Sequence, residues 1–330
     1  MEEPRPGTGG ETYVPYESRV GNESLVYFTR DLSAKGLRKA YEKVSADIVG
    51  KVGVKLHTGE KNGPNIIPRP WVRDLLAADL PDASIIETNT YYDGDRYTTE
   101  RHRETLKVNG WDFCPVDIID DKATADLPVV GGKWFDHMTV GAGLLDYDSM
   151  VALTHFKGHT QGGFGGSNKN IGIGCADGRI GKKMIHTWPG QGQWSIATEE
   201  FMERMCESTK ATIDHFGKHV TYVNVMRNMS VSCDCEGTSA APVVTPNVGI
   251  LASTDILAVD QASVDIVYAM REDEHHDLVE RIESRHGLRQ LSYMKELGMG
   301  NDRYVLIDLD NDERRIYPAD AVQGLVPFAG

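Results

Sequence analysis

Three histidines in the middle of the chain have the spacing and the neighbours of a metal site. His155 and His159 lie four residues apart in a stretch rich in glycine, and His186 follows further along the chain. A neutral imidazole is a common ligand of transition metals, so a loop that folds back on itself would offer all three rings to one nickel, iron or zinc ion. Histidines that are merely hydrogen-bonded within a loop are the alternative.

The same stretch, residues 155–175, also carries two lysines. Glycine lets a loop approach a ligand closely and turn its backbone N–H groups toward an anion. Lys157 and Lys169 add positive charge to an acidic protein, and a desolvated Lys169 would act as a nucleophile or a tether. The predicted contacts to a phosphate-bearing cofactor are Lys157, Gly163, Gly165, Gly166, Asn168 and Asn170. Surface lysines beside a flexible loop are the alternative.

Two cysteines separated by one residue form a second candidate set of ligands. Cys233 and Cys235 would project to the same side of an extended chain. Together with Cys175 they would supply three soft ligands for an Fe–S cluster or for zinc. Buried thiols without a ligand are the alternative, since two cysteines alone are a weak metal signature.

Polar side chains also follow two predicted strands in the first half of the chain. Lys55, His57 and Glu60 follow the second strand, and Asn89 and Thr90 follow the third. The carboxyl ends of parallel strands open onto one crevice, where ligands bind. His57 or Glu60 would serve as a base and Lys55 as a cation, while Asn89 and Thr90 would hydrogen-bond to a cofactor. Solvated turns are the alternative.

Short apolar runs alternate with helical patterns along the chain, and these elements must position the polar residues. Residues 25–28, 52–56 and 150–154 have the character of strands, while residues 37–44 place apolar side chains at helical spacing. The alternation predicts an α/β fold with two lobes of mainly parallel sheet flanked by helices. The predicted divisions are a flexible arm at 1–23, a first lobe at 24–148, a second lobe at 149–310 and a tail at 311–330.

The composition narrows the classes of function. The 330 residues include 35 Lys and Arg against 49 Asp and Glu, a net charge of −14, which repels nucleic acid and anionic lipid. No apolar run approaches the ~20 residues of a membrane span, and the first residues lack the order of a secretion signal. We therefore expect a cytoplasmic protein with reduced cysteines that acts on a small molecule. The expected protein partner is a second copy of the chain, in a homodimer.

Taken together and in order, these motifs resemble an uncharacterised prokaryotic family, domain of unknown function 362. The resemblance rests on residues 55–60, 88–90, 155–170, 233–235 and 260–265. Many members of this family carry a ferredoxin-like insert after the position of Cys175, and its cysteine arrays bind [4Fe–4S] clusters. Residues 176–198 contain no cysteine, so the insert is absent here and electron transfer through it is not expected.

A shorter stretch is similar to the lactate racemase family. Members of that family have a histidine, a Gly-Gly loop, a lysine ten residues after the histidine, and a later histidine. His159, Gly165, Gly166, Lys169 and His186 follow the same order. In that family the lysine tethers a nickel pincer nucleotide, the histidines hold or flank the metal, and hydride moves to and from a 2-hydroxy acid. The similarity implies such a site at Lys169.

Two functions are consistent with these residues. The first is an enzyme, an oxidoreductase or a racemase, that depends on a metal or a phosphate-bearing cofactor and transfers a hydride or a proton on a small hydroxy acid or carbonyl compound. The second is a non-catalytic redox or metal-binding protein that holds an Fe–S cluster or zinc through Cys175, Cys233 and Cys235. Metal analysis of protein purified without air distinguishes the two.

Overall fold

The computed structural model describes residues 10–328, and its strands and helices alternate as the apolar pattern predicts. The first half of the chain contains β1 (Glu23–Thr29), α1 (Ala34–Glu42), β2 (Val52–Lys55), α2 (Arg69–Asp79), β3 (Ser84–Glu87), α3 (Thr99–Val108), β4 (Val116–Ile118), β5 (Thr124–Pro128), β6 (His137–Gly141), β7 (Ser149–His155), β8 (Lys157–His159) and β9 (Gly163–Gly165). The second half contains α4 (Ser167–Gly174), α5 (Gly181–His186), α6 (Thr198–Phe216), β10 (Val220–Met226), β11 (Gly249–Ser253), α7 (Ile256–Ala269), α8 (Glu272–Ser284), α9 (Arg289–Glu296), β12 (Arg303–Asp308), β13 (Arg314–Ile316) and α10 (Pro318–Ala321).

The main sheet has nine strands in the order β13-β12-β1-β11-β10-β7-β2-β3-β4. Five of the pairings between neighbours are parallel and three are antiparallel. The predicted α/β class with a mainly parallel sheet is confirmed. Because β2 pairs with β7, with Val54 opposite Val151, the boundary predicted near residue 148 runs between two neighbouring strands of one sheet.

Both faces of this sheet are covered, which explains why β7, an interior strand, contains a continuous apolar run. All seven residues of β7 are buried. Met150 and Ala152 belong to one hydrophobic core, whereas Val151 and Leu153 belong to another, because successive side chains of a strand point to opposite faces. A parallel strand that is buried on both faces shows no alternation of polar and apolar residues.

The carboxyl ends of β2, β3 and β7 lie side by side at one edge of the sheet. The three strands are parallel neighbours, and their last residues are Lys55, Glu87 and His155. All three side chains are polar, although the strands before them are apolar. This is the edge at which open α/β sheets bind ligands, and the segments that follow the strands meet there.

The stretch predicted as a glycine-rich loop is instead a tight hairpin followed by a helix. β8 and β9 pair in antiparallel fashion, with His159 opposite Gly163. Gly163 has a φ of 76°, a conformation that glycine adopts without strain. The helix α4 begins two residues after the hairpin, at Ser167. The prediction of an open loop was therefore wrong.

A buried carboxylate from α7 explains why a helix begins at Ser167. Asp260 accepts the backbone N–H groups of Ser167 at 2.7 Å and Asn168 at 2.9 Å, and burial raises the pKa of Asp260 to about 6. The N-terminus of a helix favours an anion, and here the protein supplies its own. The backbone N–H of Asn168, a residue predicted to hold a phosphate, is therefore already paired. Gly166 is required beside them, because a Cβ at this position would lie 2.4 Å from the Asp260 carboxylate.

Gly166→Ala is expected to lower the free energy of unfolding by about 1–3 kcal/mol, as overpacking of a filled interior does. The added methyl group would displace Asp260 from the first amides of α4. Urea denaturation followed by circular dichroism measures the change. Gly192→Ala is the matched control, since nothing lies within 4 Å of a Cβ built at Gly192. Equal stabilities of the two variants would contradict the assigned role of Asp260.

Both ends of the described chain pack against the fold more closely than their composition predicts. Residues 1–9 of the predicted arm lie outside the described residues, but Arg19 is buried and lies 2.5 Å from Asp265 of α7. In the predicted tail, β13 pairs with β12, with Ile316 opposite Leu306. Across residues 10–328, none of the helices is both long enough and apolar enough to cross a membrane.

Candidate active site

A cavity of about 510 Å³ at the carboxyl edge of the sheet is rich in positive charge. It is lined by Lys55, Lys157, Lys169, Lys182 and Arg96. The whole protein has a net charge of −14, so the positive charge of the cavity lining is opposite in sign to the charge of the protein as a whole. Its volume suits a small molecule, and its cations favour an anionic one.

Two of the four lysines are bound to buried carboxylates. Lys55 lies 2.8 Å from Glu87, and Lys157 lies 3.0 Å from Asp234. Burial opposes the ionisation of Glu87, but Lys55 and Arg96 hold its pKa well below the usual range. These ion pairs fix the wall of the cavity, and the carboxylates neutralise much of the lysine charge.

The other two lysines, Lys169 and Lys182, form no salt bridge in the part of the chain that the structure describes. Lys169 Nζ lies 3.8 Å from the Cys233 sulfur. Lys182 donates to the Thr88 hydroxyl at 2.5 Å and to the Asn89 carbonyl, and burial lowers the pKa of Lys182 to about 8. Both ammonium groups are therefore placed to receive an anionic ligand.

The rings of His57 and His159 are held by backbone N–H groups. The N–H of Gly59 donates to His57 Nδ1 at 2.9 Å, and the N–H of Gly162 donates to His159 Nδ1 at 2.7 Å. Burial lowers the pKa of both rings, that of His159 to about 4, so both are neutral at neutral pH. Since a neutral imidazole carries one proton and Nδ1 accepts, the proton of His159 lies on Nε2. His57 Nε2 lies 3.4 Å from the guanidinium of Arg96, which is also a donor.

His186 has the opposite tautomer. Its Nδ1 lies 2.7 Å from the carbonyl oxygen of Lys182, which can only accept, so Nδ1 carries the proton. Burial lowers the pKa of His186 to about 3, and the ring is packed edge-on against Trp194 at a centroid distance of 4.8 Å. His186 lines the cavity. The ring thus contributes an imidazole with an unprotonated Nε2 to the lining of the cavity.

Three donor groups of a kind that holds metals lie close together beside the cavity. Ligand atoms of His159, Cys233 and Cys235 lie within 4.8 Å of one another, and a Cys2His set is known for zinc. A ligating imidazole needs a free nitrogen lone pair. In His159, Nδ1 accepts from Gly162 and Nε2 carries the proton. The arrangement therefore does not fit a metal, and we assign none to this group.

The other predicted metal ligands do not join this group. Both ring nitrogens of His155 are hydrogen-bonded, Nδ1 to Asp234 at 2.9 Å and Nε2 to the carbonyl of Arg227 at 2.7 Å. Cys175 is fully buried in the hydrophobic core, and burial raises the pKa of its thiol to about 12. The three-thiol site proposed for an Fe–S cluster or zinc is therefore not assembled in the described residues.

The cavity nevertheless collects most of the residues that the sequence marks as functional. The predicted residues that line it are Lys55, His57, Thr90, His155, Lys157, His159, Gly165, Gly166, Lys169, Asn170, His186 and Cys235. Those that do not line it are Glu60, Asn89, Gly163, Asn168, Cys175 and Cys233. Glu60, a predicted base, is instead bound to Arg96 at 2.8 Å.

Sequence reasoning missed Lys182 and Arg96. Arg96 lies in the segment between Thr90 and α3, where no residue was predicted to be functional. Lys182 lies in α5, where the adjacent Lys183 is exposed. The signal that would have found Lys182 is its position four residues before His186, because residues at this spacing share one side of a helix.

Residues 52–265, more than half of the chain, match the family described as "Domain of unknown function (DUF362)". The chain belongs to this family. The DUF362 match begins at β2 and ends within α7, and it contains every residue named above as lining the cavity. The resemblance stated from the motifs is thus confirmed, and the candidate site lies inside the family's own region. Among curated proteins, none matches the chain.

Solved structures give two weak likenesses. The lactate racemase apoprotein from Thermoanaerobacterium thermosaccharolyticum is 8% identical, with a TM-score of 0.37 over 86% of this chain and 82% of that one. A Thermotoga maritima protein from a structural genomics programme is 16% identical, with a TM-score of 0.35 over 58% of this chain and 49% of that one. Scores this low do not carry an argument about function.

Proposed function

We propose that this DUF362 protein is an enzyme that binds a small organic anion in the cationic cavity and catalyses proton transfer on it. The observation that carries the proposal is the pair Lys169 and Lys182, two ammonium groups that line the cavity and form no salt bridge among the described residues. The substrate class is a hydroxy acid or carbonyl compound that bears a carboxylate or a similar anionic group. Such a molecule fits a cavity of about 510 Å³.

His186 is the residue proposed to move the proton. Its Nε2 is unprotonated because Nδ1 donates to the Lys182 carbonyl. The pKa of His186, about 3, is too low for an efficient base near neutral pH. A bound anion would raise it, because a negative charge within about 4–6 Å stabilises the imidazolium form. Substrate binding would thus bring the base toward the pKa that general-base catalysis requires.

Lys182 is proposed to stabilise the charge that develops when the proton leaves. Removal of a proton from a carbon next to a carbonyl group moves negative charge onto the carbonyl oxygen. An ammonium group already held in place by Thr88 and Asn89 meets that charge without reorganising. Of the two reactions expected from the sequence, proton transfer is the one these side chains support directly.

Exchange of hydrogen for deuterium tests this function. A panel of 2-hydroxy and 2-oxo carboxylates is incubated with the protein in D2O, and NMR follows loss of the C2–H signal of each hydroxy acid and of the C3–H signal of each oxo acid. The proposal expects exchange in at least one member of the panel at a rate proportional to protein concentration. Tight binding of a carboxylate without exchange in any member would contradict an enzyme and leave a binding protein.

The affinity for a small carboxylate is expected to fall about tenfold between pH 7 and pH 9. With a pKa of about 8, Lys182 is mostly protonated at pH 7 and mostly neutral at pH 9, so the cation that attracts the ligand is lost as pH rises. Isothermal titration with glycolate measures the dependence. The Lys182→Met variant is expected to bind glycolate more weakly than the original protein at pH 7, and its affinity should change little between pH 7 and pH 9. An equally steep dependence in Lys182→Met would assign the titration to another group.

A further inference from the structure

The sulfur of Cys233 is surrounded by hydrogen-bond donors. The backbone N–H of Cys235 lies 3.4 Å from it, and Lys169 Nζ lies 3.8 Å from it. A ring nitrogen of His159, which carries its proton on Nε2, lies within 4.8 Å of the sulfur. A neutral thiol is a weak acceptor, whereas an ammonium group and an amide N–H beside one sulfur form the environment of a thiolate.

Cys235 holds the proton that Cys233 lacks. The two sulfurs lie within 4.8 Å of one another. The Cys235 thiol and the Lys169 ammonium hold the pKa of Cys233 well below the usual range, although burial opposes this, and the Cys233 sulfur raises the pKa of Cys235. When the pair carries one proton, that proton therefore lies on Cys235 and the negative charge on Cys233.

Lys169 is the cation whose nitrogen lies beside a sulfur of the pair. Lys157 is paired with Asp234 at 3.0 Å, and Arg96 is paired with Glu60 at 2.8 Å. Lys169 forms no salt bridge within residues 10–328. Lys169 therefore faces both the Cys233 sulfur, 3.8 Å from its Nζ, and the cavity that it lines, so one ammonium group serves the dithiol and the bound anion.

We infer that Cys233 and Cys235 form a nucleophilic dithiol, and that the cavity binds an aldehyde or a 2-oxo acid with an anionic group by reversible addition to Cys235. Cys235 lines the cavity, whereas Cys233 is only 1% exposed, so Cys235 is the sulfur that reaches a ligand. The class of ligand rests on the proposed function, since the lysines of the cavity select its anionic group. The nucleophilic dithiol itself rests on the local geometry alone.

The addition is balanced without a redox partner. The Cys235 sulfur forms a bond to the carbonyl carbon, and the π-electron pair of the C=O bond moves to the oxygen. The Cys235 proton passes to the Cys233 sulfur, and the new alkoxide takes a proton from Lys169. The product is a thiohemiacetal, and each step reverses when the ligand leaves.

Alkylation by iodoacetamide tests the dithiol without any assay of activity. Peptide mass spectrometry of the whole protein, alkylated at several pH values, gives the rate at each cysteine. We expect Cys235 to react with a midpoint below the ~8.5 of a free cysteine, because the Cys233 sulfur takes up the Cys235 proton as the Cys235 sulfur attacks. Cys233→Ser should slow the reaction of Cys235 at pH 7 by about tenfold or more. Cys114 is the internal control, because burial raises its pKa to about 11.

Lys169→Met provides a second variant in case Cys233→Ser does not fold, as circular dichroism would show. Removal of this cation is expected to raise the midpoint for Cys235 by about one pH unit. A midpoint near that of a free cysteine, or a rate at Cys235 that neither variant changes, would overturn the inference. So would purified protein with a stoichiometric metal bound to both sulfurs.

Glyoxylate, a small anionic aldehyde, tests the class of ligand. We expect it to protect Cys235 from iodoacetamide at pH 7 and the protection to disappear on dialysis. A reactive Cys235 that glyoxylate does not protect would overturn the addition step. Acetaldehyde, which lacks the anionic group, separates the two proposals. Protection by both aldehydes alike would retain the dithiol and contradict the anion-binding cavity, whereas protection by glyoxylate alone supports both.

Discussion

His186→Gln is expected to lower the rate of hydrogen exchange on the substrate by about 10²–10⁴-fold, the usual contribution of a general base. Glutamine keeps much of the volume of the ring and lacks a basic nitrogen. The expectation follows from the tautomer of His186, whose Nδ1 is engaged by the Lys182 carbonyl. NMR in D2O with the carboxylate that exchanges fastest measures the change.

A matched control separates loss of the base from loss of the fold. His276→Gln makes the same substitution at an exposed histidine that is paired with Asp277, and it should leave the rate unchanged. His186→Gln should also bind the carboxylate with nearly unchanged affinity, since the two lysines remain. An exchange rate within about threefold of the original would remove His186 from the role of base.

Arg19→Met is expected to lower the free energy of unfolding by about 3–5 kcal/mol, because it leaves a buried carboxylate without its cation. Arg19 donates to both oxygens of Asp265, at 2.5 Å and 2.6 Å, and the two side chains are 4% and 0% exposed. Tyr13 and Tyr304 donate to the same carboxylate. Urea denaturation followed by circular dichroism measures the loss.

Arg38→Met is the matched control for this change. Arg38 lies 2.6 Å from Asp79, but its side chain is 45% exposed, and exposed pairs contribute only about 0–1 kcal/mol. The comparison therefore isolates the effect of burial on an ion pair of similar geometry. A loss in Arg19→Met no greater than that in Arg38→Met would contradict the view that Arg19 ties the start of the described chain to α7.

The fold was predictable where the residues of an element lie close together in sequence. The buried run of β7 and the alternation of strands with helices are local signals, and they predicted the sheet and its carboxyl edge. The prediction of a glycine-rich loop was wrong because the structure of this stretch depends on Asp260, a residue more than ninety positions away in the sequence. No local pattern could show that this carboxylate already fills the site expected to hold a phosphate.

The candidate site was predictable in its position but not in its chemistry. Residues after the strand ends, such as His57 and Lys169, were expected to converge, and they line one cavity. Their roles depend on individual hydrogen bonds, because the partner of Nδ1 decides whether a histidine presents a proton, as His159 does, or a lone pair, as His186 does. Spacing in the sequence does not record which ring atom meets the backbone.

The central claim is that Lys169 and Lys182 hold a small organic anion in the cavity. A crystal structure of the protein with glycolate tests it most directly. We expect the carboxylate within about 3 Å of at least one of the two ammonium groups, with its hydroxyl-bearing carbon facing His186. Glycolate bound outside the cavity, or inside it with the carboxylate turned away from both lysines, would contradict the account.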